Sequence, residues 1–562
     1  MAPGILELEI VILIALMLGF LSRVFKQPLI LAYLFTGVVI GAFGVFNTGN
    51  REIFQLFSDL GIMFVLFLVG LDINYDSLKI VGKTALRVGL GQIVGTLILG
   101  FLLAQLLKYN FLEATYLAIA LTFSSTVIVV ELLSQKKNLN SLYGKICLGV
   151  LLVQDLIAIL ILMFLSSLQI QGLAAHQEII MSLGLTAIKA GVVLAVTLWL
   201  GKKLLPGVLG LISGSQELLF LASLAWVFVL VVLVNYIGFP IEIGGFLAGL
   251  SLANSTEHLQ IAGKVKSLRD FFLLIFFVLL GASVVLNNPA AVVVPIAILV
   301  VFVLLIKPLI VMVIMGRMGY RRRTGMLTGL ALAQVSEFSL ILVALGVKLG
   351  HIQNNILVTV TFVSIITITI SSYFISYGEK IYRLISNKIR FFEQKNTIYE
   401  TTAASVDLPI VLIGFHRLGR SLAINLPREK LLVIDFDPEM VEKLKNDHYE
   451  YLFGDIADEE VRLLANLDKA KLVISTSPNL ADNLTLLDHF KKVRTKPKLI
   501  IRAENEQEAR ILYMRGVDYV LLPQLTSGYY VGEILGKDQS TKTIEKLKNK
   551  DRMVLRDFAE HA

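Results

Sequence analysis

Long runs of apolar residues are the feature that most constrains how this 562-residue chain can fold. A helix that spans a bilayer needs about 20 mostly apolar residues, and the first 376 positions contain about 13 such runs. The whole chain is 56% hydrophobic and 17% charged, whereas soluble proteins have roughly 45–50% apolar and about 25% charged residues. Residues 1–376 therefore predict a membrane domain, and the more polar sequence after them predicts a water-soluble part.

The basic residues alternate between the predicted loops. The predicted membrane helices cover 5–22, 28–45, 53–71, 86–106, 113–133, 145–167, 178–200, 217–236, 240–253, 270–286, 290–314, 324–347 and 353–376. One set of alternate loops carries most lysines and arginines, and the opposite set carries only Arg51, Lys108 and Lys348. Cytoplasmic loops are enriched in Lys and Arg. We therefore expect a multi-pass protein of the cell (inner) membrane, with the N-terminus outside, the C-terminal domain in the cytoplasm, and no nucleic-acid partner for the net charge of +8.

Two polar residues interrupt the sixth predicted helix, which reads G-V-L-L-V-Q-D-L-I-A-I-L-I-L at 149–162. Asp155 falls about eleven residues into this helix, which at ~1.5 Å per residue is roughly 16 Å, close to the bilayer midplane. A charge there costs at least about 3 kcal/mol. Either a basic residue pairs with Asp155 for structural reasons, or Asp155 carries an ion or a proton in a water-accessible cavity. We favour the carrier, with Gln154 as its uncharged neighbour.

Hydroxyl and amide side chains also crowd two other predicted helices. The fifth helix contains Thr122, Ser124, Ser125 and Thr126, and the twelfth contains Gln334, Ser336, Glu337 and Ser339. Such side chains satisfy backbone groups where a membrane helix is broken, and interrupted helices in two halves of a chain point to a transporter site. They also serve ordinary helix packing. Lys307, inside the eleventh helix, could balance a carboxylate, satisfy the ends of broken helices or extend to the interface.

The membrane part resembles the Kef-type branch of the monovalent cation/proton antiporters. The resemblance rests on K-Q-P-L-I-L-A-Y-L-F-T-G-V-V-I-G at 26–41, D-L-G-I-M-F-V-L-F-L-V-G-L-D at 59–72, T-F-S-S-T at 122–126, Q-D at 154–155, G-G-F-L-A-G at 244–249, F-F-V-L-L-G at 276–281, Lys307 and Q-V-S-E-F at 334–338. It implies thirteen helices in an inverted-repeat, sodium/proton antiporter-like fold, in which two broken helices cross beside the carrier carboxylate. It also implies a homodimer, and it associates glutamine at position 154 with potassium.

The C-terminal sequence alternates strands and helices, which predicts a doubly wound parallel sheet of the Rossmann type. We place a linker at 377–406, the sheet domain at 407–525 and a tail at 526–562. The first strand leads into Gly414-Phe-His416-Arg417-Leu-Gly419, a turn whose backbone could bind pyrophosphate. His416 replaces the middle glycine of the usual motif and could either obstruct a dinucleotide or contact a phosphate. Asp435 ends the second strand and Asp455 follows the third, where acids bind a nucleotide.

This second part resembles the RCK, or TrkA-N, regulatory domain, which follows many Kef-type transporters. The resemblance implies dimerisation and binding of NAD(H) or of AMP or ATP as an effector rather than as a reactant. The function expected for the whole chain is regulated potassium/proton exchange across a lipid membrane. Sodium/proton exchange on the same scaffold stays open, and so, less favoured, does a ligand-gated potassium channel, although no T-V-G-Y-G filter is present. An enzyme is disfavoured because we see no catalytic constellation beside the turn.

Overall fold

The computed structural model describes residues 3–43, 51–72, 82–136, 138–139, 141–167, 176–212, 214–239, 241–283, 289–385, 408–491, 496–538, 540, 543–549 and 552. The chain divides into two compact units. The first contains residues 1–136, 145–317 and 324–393, and the second contains residues 394–562 with the short segments 137–144 and 318–323.

The first unit is helical, and two of its helices begin within the segments 137–144 and 318–323 of the second unit. Its elements are α1 (Pro3–Val24), α2 (Leu29–Phe43), α3 (Arg51–Asp72), α4 (Lys83–Leu106), α5 (Phe111–Thr122), α6 (Thr126–Gln135), α7 (Leu142–Ser167), α8 (His176–Lys203), α9 (Leu205–Ile212), α10 (Gln216–Tyr236), α11 (Ile241–Leu252), α12 (His258–Ala282), α13 (Pro289–Val301), a π-helical turn (Phe302–Ile306), α14 (Lys307–Arg317), α15 (Arg322–Ala331), α16 (Glu337–Lys348) and α17 (Asn354–Ile385).

Seven helical stretches in the described part of the chain are long and apolar enough to cross a membrane, or eight if α8 and α9 form one bent span. The seven are Ile53–Leu71, Lys83–Leu106, Phe111–Gln135, Leu142–Leu162, Gln216–Tyr236, Val292–Arg317 and Asn354–Ile385. A membrane protein of many spans is thereby confirmed, and the number thirteen stays a prediction. Shorter apolar helices also occur at Leu29–Phe43 and Ile241–Leu252.

The structure departs from the predicted helices in three places. The tenth helix, predicted at 270–286, begins earlier, as α12 (His258–Ala282). The seventh predicted helix continues, after a bend of 42°, as α9. Pro206 in α9 has no N–H to bond to the preceding turn, which accounts for the break. The last helix runs to Ile385, into the predicted linker, and the linker residues from 386 lie outside the described residues.

Close backbone contact holds α11 against α3. A side chain added at Gly249 would collide with the backbone of Phe67. This contact explains why the sequence G-G-F-L-A-G is rich in small residues, since membrane helices approach closely only where such residues line the interface.

The second unit contains a six-stranded parallel sheet in the order β3-β2-β1-β4-β5-β6. The strands are β1 (Ile410–Ile413), β2 (Leu431–Asp435), β3 (Glu450–Phe453), β4 (Leu472–Ser475), β5 (Lys498–Arg502) and β6 (Tyr519–Leu521). The connecting helices are α18 (Arg417–Ala423), α19 (Pro438–Asn446), α20 (Glu459–Leu464), α21 (Leu480–Phe490) and α22 (Glu506–Met514), and α23 (Pro523–Lys537) follows β6. The prediction of a doubly wound sheet is confirmed.

The central strand β1 lies at the point where the strand order reverses. In register, Val411 of β1 stands beside Leu432 of β2 and Val473 of β4. Apolar clusters cover both faces of the sheet, as expected for parallel strands that carry helices on both sides. Ligands of such sheets bind outside the carboxyl ends of the strands at this reversal point. That edge carries the Gly414 turn.

Candidate functional site

The first break in a membrane helix separates α5 from α6. Phe123 has an extended backbone (φ −82°, ψ 150°), and α6 begins only after Ser125. The Ser125 hydroxyl accepts the backbone N–H of Ile128 at 3.3 Å, which caps the new helix. The predicted hydroxyl cluster at 122–126 therefore coincides with a true interruption, as the sequence indicated.

The second break lies between α15 and α16. Residues 332–336 are not helical, and α16 begins at Glu337 with Ser336 as its N-cap, whose hydroxyl accepts the N–H of Phe338 at 3.1 Å. Glu337 is 5% exposed and stands in the first turn, where the positive end of the helix dipole stabilises a carboxylate. The interruption that the sequence predicted at 334–338 lies at 332–336 in the structure.

The two breaks lie against each other. The Ser124 hydroxyl donates to the carbonyl oxygen of Leu332 at 2.8 Å, and the Gln334 amide donates to the carbonyl oxygen of Ser125 at 3.3 Å. Carbonyl groups freed by interrupting one helix are therefore satisfied by side chains of the other. This exchange is how irregular backbone is tolerated at membrane depth.

Lys307 ties both breaks together. Its ammonium donates to the carbonyl oxygen of Phe123 at 3.0 Å and to that of Gln334 at 2.8 Å. The residue is 0% exposed, which excludes extension to the interface. Of the roles predicted for Lys307, the structure thus shows one: its ammonium donates hydrogen bonds to the carbonyl groups that the two broken helices leave free. The π-helical turn before it, closed by the Lys307 N–H on the carbonyl of Phe302, sets the direction of this side chain.

Asp155 of α7 lies beside the start of α6. The carboxylate is 6% exposed, and the Thr126 hydroxyl donates to it at 2.8 Å. Thr126 is the first residue of α6, so the carboxylate meets the positive end of a half-helix. A carboxylate and a hydroxyl at such a position offer hard oxygen ligands for a proton or an alkali cation.

Gln154 is held in a chain of amides. Its carbonyl oxygen accepts the N–H of Ser124 at 2.8 Å, and its amide donates to Gln92 at 2.5 Å. Gln92 in turn donates to Thr96 at 2.9 Å and to the carbonyl oxygen of Thr122 at 3.0 Å. Gln154 therefore braces the first break.

Sequence reasoning missed several residues of this network, among them Gln92, Thr96 and Ser371. Ser371 of α17 donates to the side-chain oxygen of Gln334 at 2.6 Å. The available signal for Gln92 was a glutamine within the apolar run G-L-G-Q-I-V-G. The hydroxyl of Thr122, which was predicted to belong to the site, donates instead to Ala118 one turn earlier at 2.8 Å.

The glycine turn of the second unit has the expected shape. Gly414 has φ +90°, a conformation that L side chains rarely adopt, and α18 begins directly after the turn at Arg417. Gly419 packs on the backbone of Gly414. The side chain of His416 is about half exposed and lies 3.4 Å from a carboxylate oxygen of Asp437. His416 is thus turned towards the end of β2 rather than capping α18.

Asp435 is committed to the fold of this turn. It is 3% exposed, and its two oxygens accept the N–H groups of Phe415 at 2.5 Å and Asp437 at 2.8 Å. Burial raises the pKa of the Asp435 carboxyl from its ordinary value of 3.8, against the lowering effect of these two bonds. Asp437 is the more accessible acid at this edge. The ribose role expected of Asp435 stays a prediction.

Asp455 already has protein partners within the second unit. It is 3% exposed and accepts the N–H of Ala457 at 2.9 Å. The guanidinium of Arg323, from the segment 318–323 that belongs to this unit, lies 3.3 Å from Asp455 and 3.6 Å from Asp458. A nucleotide bound to Asp455 would have to share this carboxylate with Arg323.

Two interrupted helices bound to each other beside a buried carboxylate, with a Rossmann-type domain after them, define a secondary ion transporter with an attached nucleotide-binding-type domain. The chain belongs to the family described as sodium/hydrogen exchanger, transmembrane, whose profile matches residues 11–376, and the TrkA-N domain profile matches residues 410–523. Members of this family are transporters rather than enzymes.

Three similar proteins illustrate the relationship. A candidate cation/proton antiporter of Escherichia coli K12, YbaL, is 26% identical over 528 residues, covering 91% of this chain and 93% of YbaL. The glutathione-regulated potassium-efflux system protein KefC of Klebsiella pneumoniae is 24% identical, covering 87% and 78%. The structure of the sodium proton antiporter MjNhaP1 of Methanocaldococcus jannaschii aligns with a TM-score of 0.50 at 16% identity, over 67% of this chain and 98% of MjNhaP1, which shows the fold alone.

Proposed function

We propose that the protein exchanges potassium for protons across the cell (inner) membrane and that its C-terminal domain regulates the exchange. The observation that carries the proposal is the carboxylate of Asp155, buried and bonded to Thr126 at the positive end of α6. Relatives named as potassium-efflux proteins support potassium, and so does the neutral Gln154. Sodium is the alternative cation, because the same scaffold carries sodium/proton antiporters.

Exchange follows from competition for one site. Asp155 holds either one proton or one monovalent cation, so each turnover replaces one by the other and moves no net charge. The bridge made by Lys307 holds both breaks in one geometry without occupying the carboxylate. Glu337, in the first turn of α16, is the second acid of the proposed site. The N-terminus lies outside, the regulatory domain lies in the cytoplasm, and two copies form a dimer in this proposal.

Proteoliposomes test the exchange directly. Wild-type protein should couple the movement of potassium to that of protons, and Asp155→Asn should abolish the coupling while the protein stays folded, because asparagine keeps the shape and loses the titrating charge. Asp270→Asn, which changes an exposed acid paired with Arg269, is the matched control and should keep the flux. Sodium and lithium arms decide the cation. Potassium flux without proton movement would indicate a channel, and coupled flux in Asp155→Asn would remove Asp155 from its role.

The regulatory ligand in this proposal is NAD(H) or an adenine nucleotide bound at the Gly414–Gly419 turn. The positive φ of Gly414 and the N-terminus of α18 support a phosphate there. Calorimetry with NADH, NAD, AMP and ATP tests nucleotide binding. Asp437→Ala should weaken that binding without removing the hydrogen bonds that Asp435 accepts from the backbone. Absence of heat with all four would favour regulation by protein contacts alone, with His416 closing the pocket.

A further inference from the structure

A cavity of about 380 Å³ lies in the first unit. Its walls are mostly apolar and include Ile159, Phe276 and Ile341. Three charged residues also line it: Asp59 of α3, Glu242 of α11 and Lys348 at the end of α16. Apolar cavities with a few convergent polar groups are the usual form of a small-ligand site.

The charged groups of this cavity do not balance. The Lys348 ammonium lies 3.2 Å from a carboxylate oxygen of Asp59 and 4.0 Å from Glu242 Oε1. The Gln55 amide donates to the other oxygen of Asp59 at 3.2 Å. When both acids are ionised, two carboxylates against one ammonium leave one negative charge in excess. That excess suits a monovalent cation.

Glu242 is the member of the group that lacks a full set of partners. It is 7% exposed, and within the described residues its Oε2 atom has no hydrogen-bond partner. Leaving a buried charged oxygen unsatisfied is costly, so this atom is open to a proton, a water or a cation. The Lys348 side chain, in contrast, is 52% exposed and can leave the two acids for water.

The floor of the cavity points to the proposed carrier. Ile159 stands four residues after Asp155 on α7, and Ile341 stands four residues after Glu337 on α16. Residues four apart share one face of a helix, separated by about 6 Å along its axis. The cavity thus ends about one helical turn from both acids of the proposed exchange site.

We propose that Asp59 and Glu242 form an alkali-cation subsite at this cavity, in which the incoming cation displaces the ammonium of Lys348 on its way to Asp155. The carboxylate oxygens supply hard ligands, the amide of Gln55 positions Asp59, and the apolar walls separate the subsite from the carrier. The role of this subsite in transport rests on the proposed exchange function. Cation binding to the subsite can be measured without transport.

Thermal unfolding of the full-length protein in detergent measures that step. Potassium chloride is titrated, with choline chloride at equal ionic strength as the reference, and sodium and rubidium chlorides as further probes. Asp155→Asn, which lacks the proposed carrier charge, should keep a potassium-dependent rise in melting temperature. Adding Glu242→Gln should raise the half-saturating potassium concentration by about tenfold, as expected for the loss of one partly buried charge contact. Adding Asp270→Asn instead should change nothing.

Lys348→Met tests the same subsite in the opposite direction. Removing the resident ammonium should lower the half-saturating potassium concentration of the Asp155→Asn protein, and this holds even if the Glu242 variant fails to fold. The proposal is overturned if Asp155→Asn alone loses all dependence on potassium, or if Glu242→Gln and Lys348→Met leave the concentration within twofold. If wild-type protein shows no coupled flux while binding still depends on Glu242, the exchange function fails and the subsite stands.

Discussion

Replacing Lys307 by methionine should destabilise the first unit, because it leaves the carbonyl oxygens of Phe123 and Gln334 without their donor. Each buried, unsatisfied carbonyl costs about 1–3 kcal/mol, or about 2–6 kcal/mol for the two. Removing a buried ammonium returns part of this cost, because burying that charge is itself unfavourable. We expect a net loss of about 1–4 kcal/mol in the free energy of unfolding, and a fall in melting temperature of about 2–8 °C at ~2 °C per kcal/mol.

The assay is thermal unfolding of purified protein in detergent, followed by the loss of the monodisperse species. Lys380→Met is the matched control, because Lys380 is an exposed lysine whose ammonium lies over the ring of Tyr377 at 5.4 Å. Substitutions of that kind usually change stability by less than about 0.5 kcal/mol. If Lys307→Met melts within one degree or so of Lys380→Met and of wild type, the bridge between the two breaks contributes nothing to stability, and Lys307 does not hold them together.

Three further outcomes are expected. Gln154→Asp should alter the pH dependence of exchange and its cation preference in proteoliposomes, since two adjacent carboxylates titrate as a coupled pair; an unchanged profile would show that position 154 serves only to brace Ser124. Gln92→Leu should lower the melting temperature by several degrees, because Gln154 and the Thr122 carbonyl each lose a buried partner at about 1–3 kcal/mol, and a wild-type melting temperature would contradict the network. Because the pKa of Asp435 is raised in the folded state, its contribution to the free energy of unfolding is full below pH 3.8 and is lost as the pH rises through the folded-state pKa. Chemical denaturation of the second unit should show this loss of stability with rising pH, and Asp435→Asn should remove it. An equally steep loss in the variant would assign the pH dependence to another group.

The two helix breaks could be predicted from the sequence because the polar residues at a break also form hydrogen bonds with the backbone groups that the break leaves free. Ser125 and Ser336 are N-caps, a position that short hydroxyl side chains favour. The sheet domain was predictable for a similar reason: short apolar strands and a glycine turn follow one another at regular spacing.

Contacts between distant segments were not predictable from spacing. Gln92 and Gln154 are 62 positions apart, and nothing in either helix encodes their meeting. The same limit applies to Asp435, whose carboxylate accepts the N–H of Phe415 in the turn after β1 and the N–H of Asp437 just beyond β2, while its expected ribose contact stays a prediction. Position along a strand predicts which edge a side chain reaches, but not which of several acceptors at that edge remains available.

The π-helical turn at Phe302–Ile306 has a consequence for anyone who aligns or edits this chain. Such a turn accommodates one more residue than an α-helix of the same length, so it rotates everything after it by about 100° about the helix axis. Deleting a single residue from the turn should restore a regular apolar helix and rotate the Lys307 side chain away from both breaks. An alignment of a relative that lacks the turn must therefore carry a one-residue gap here, or it will equate this lysine with a residue on another face of the helix.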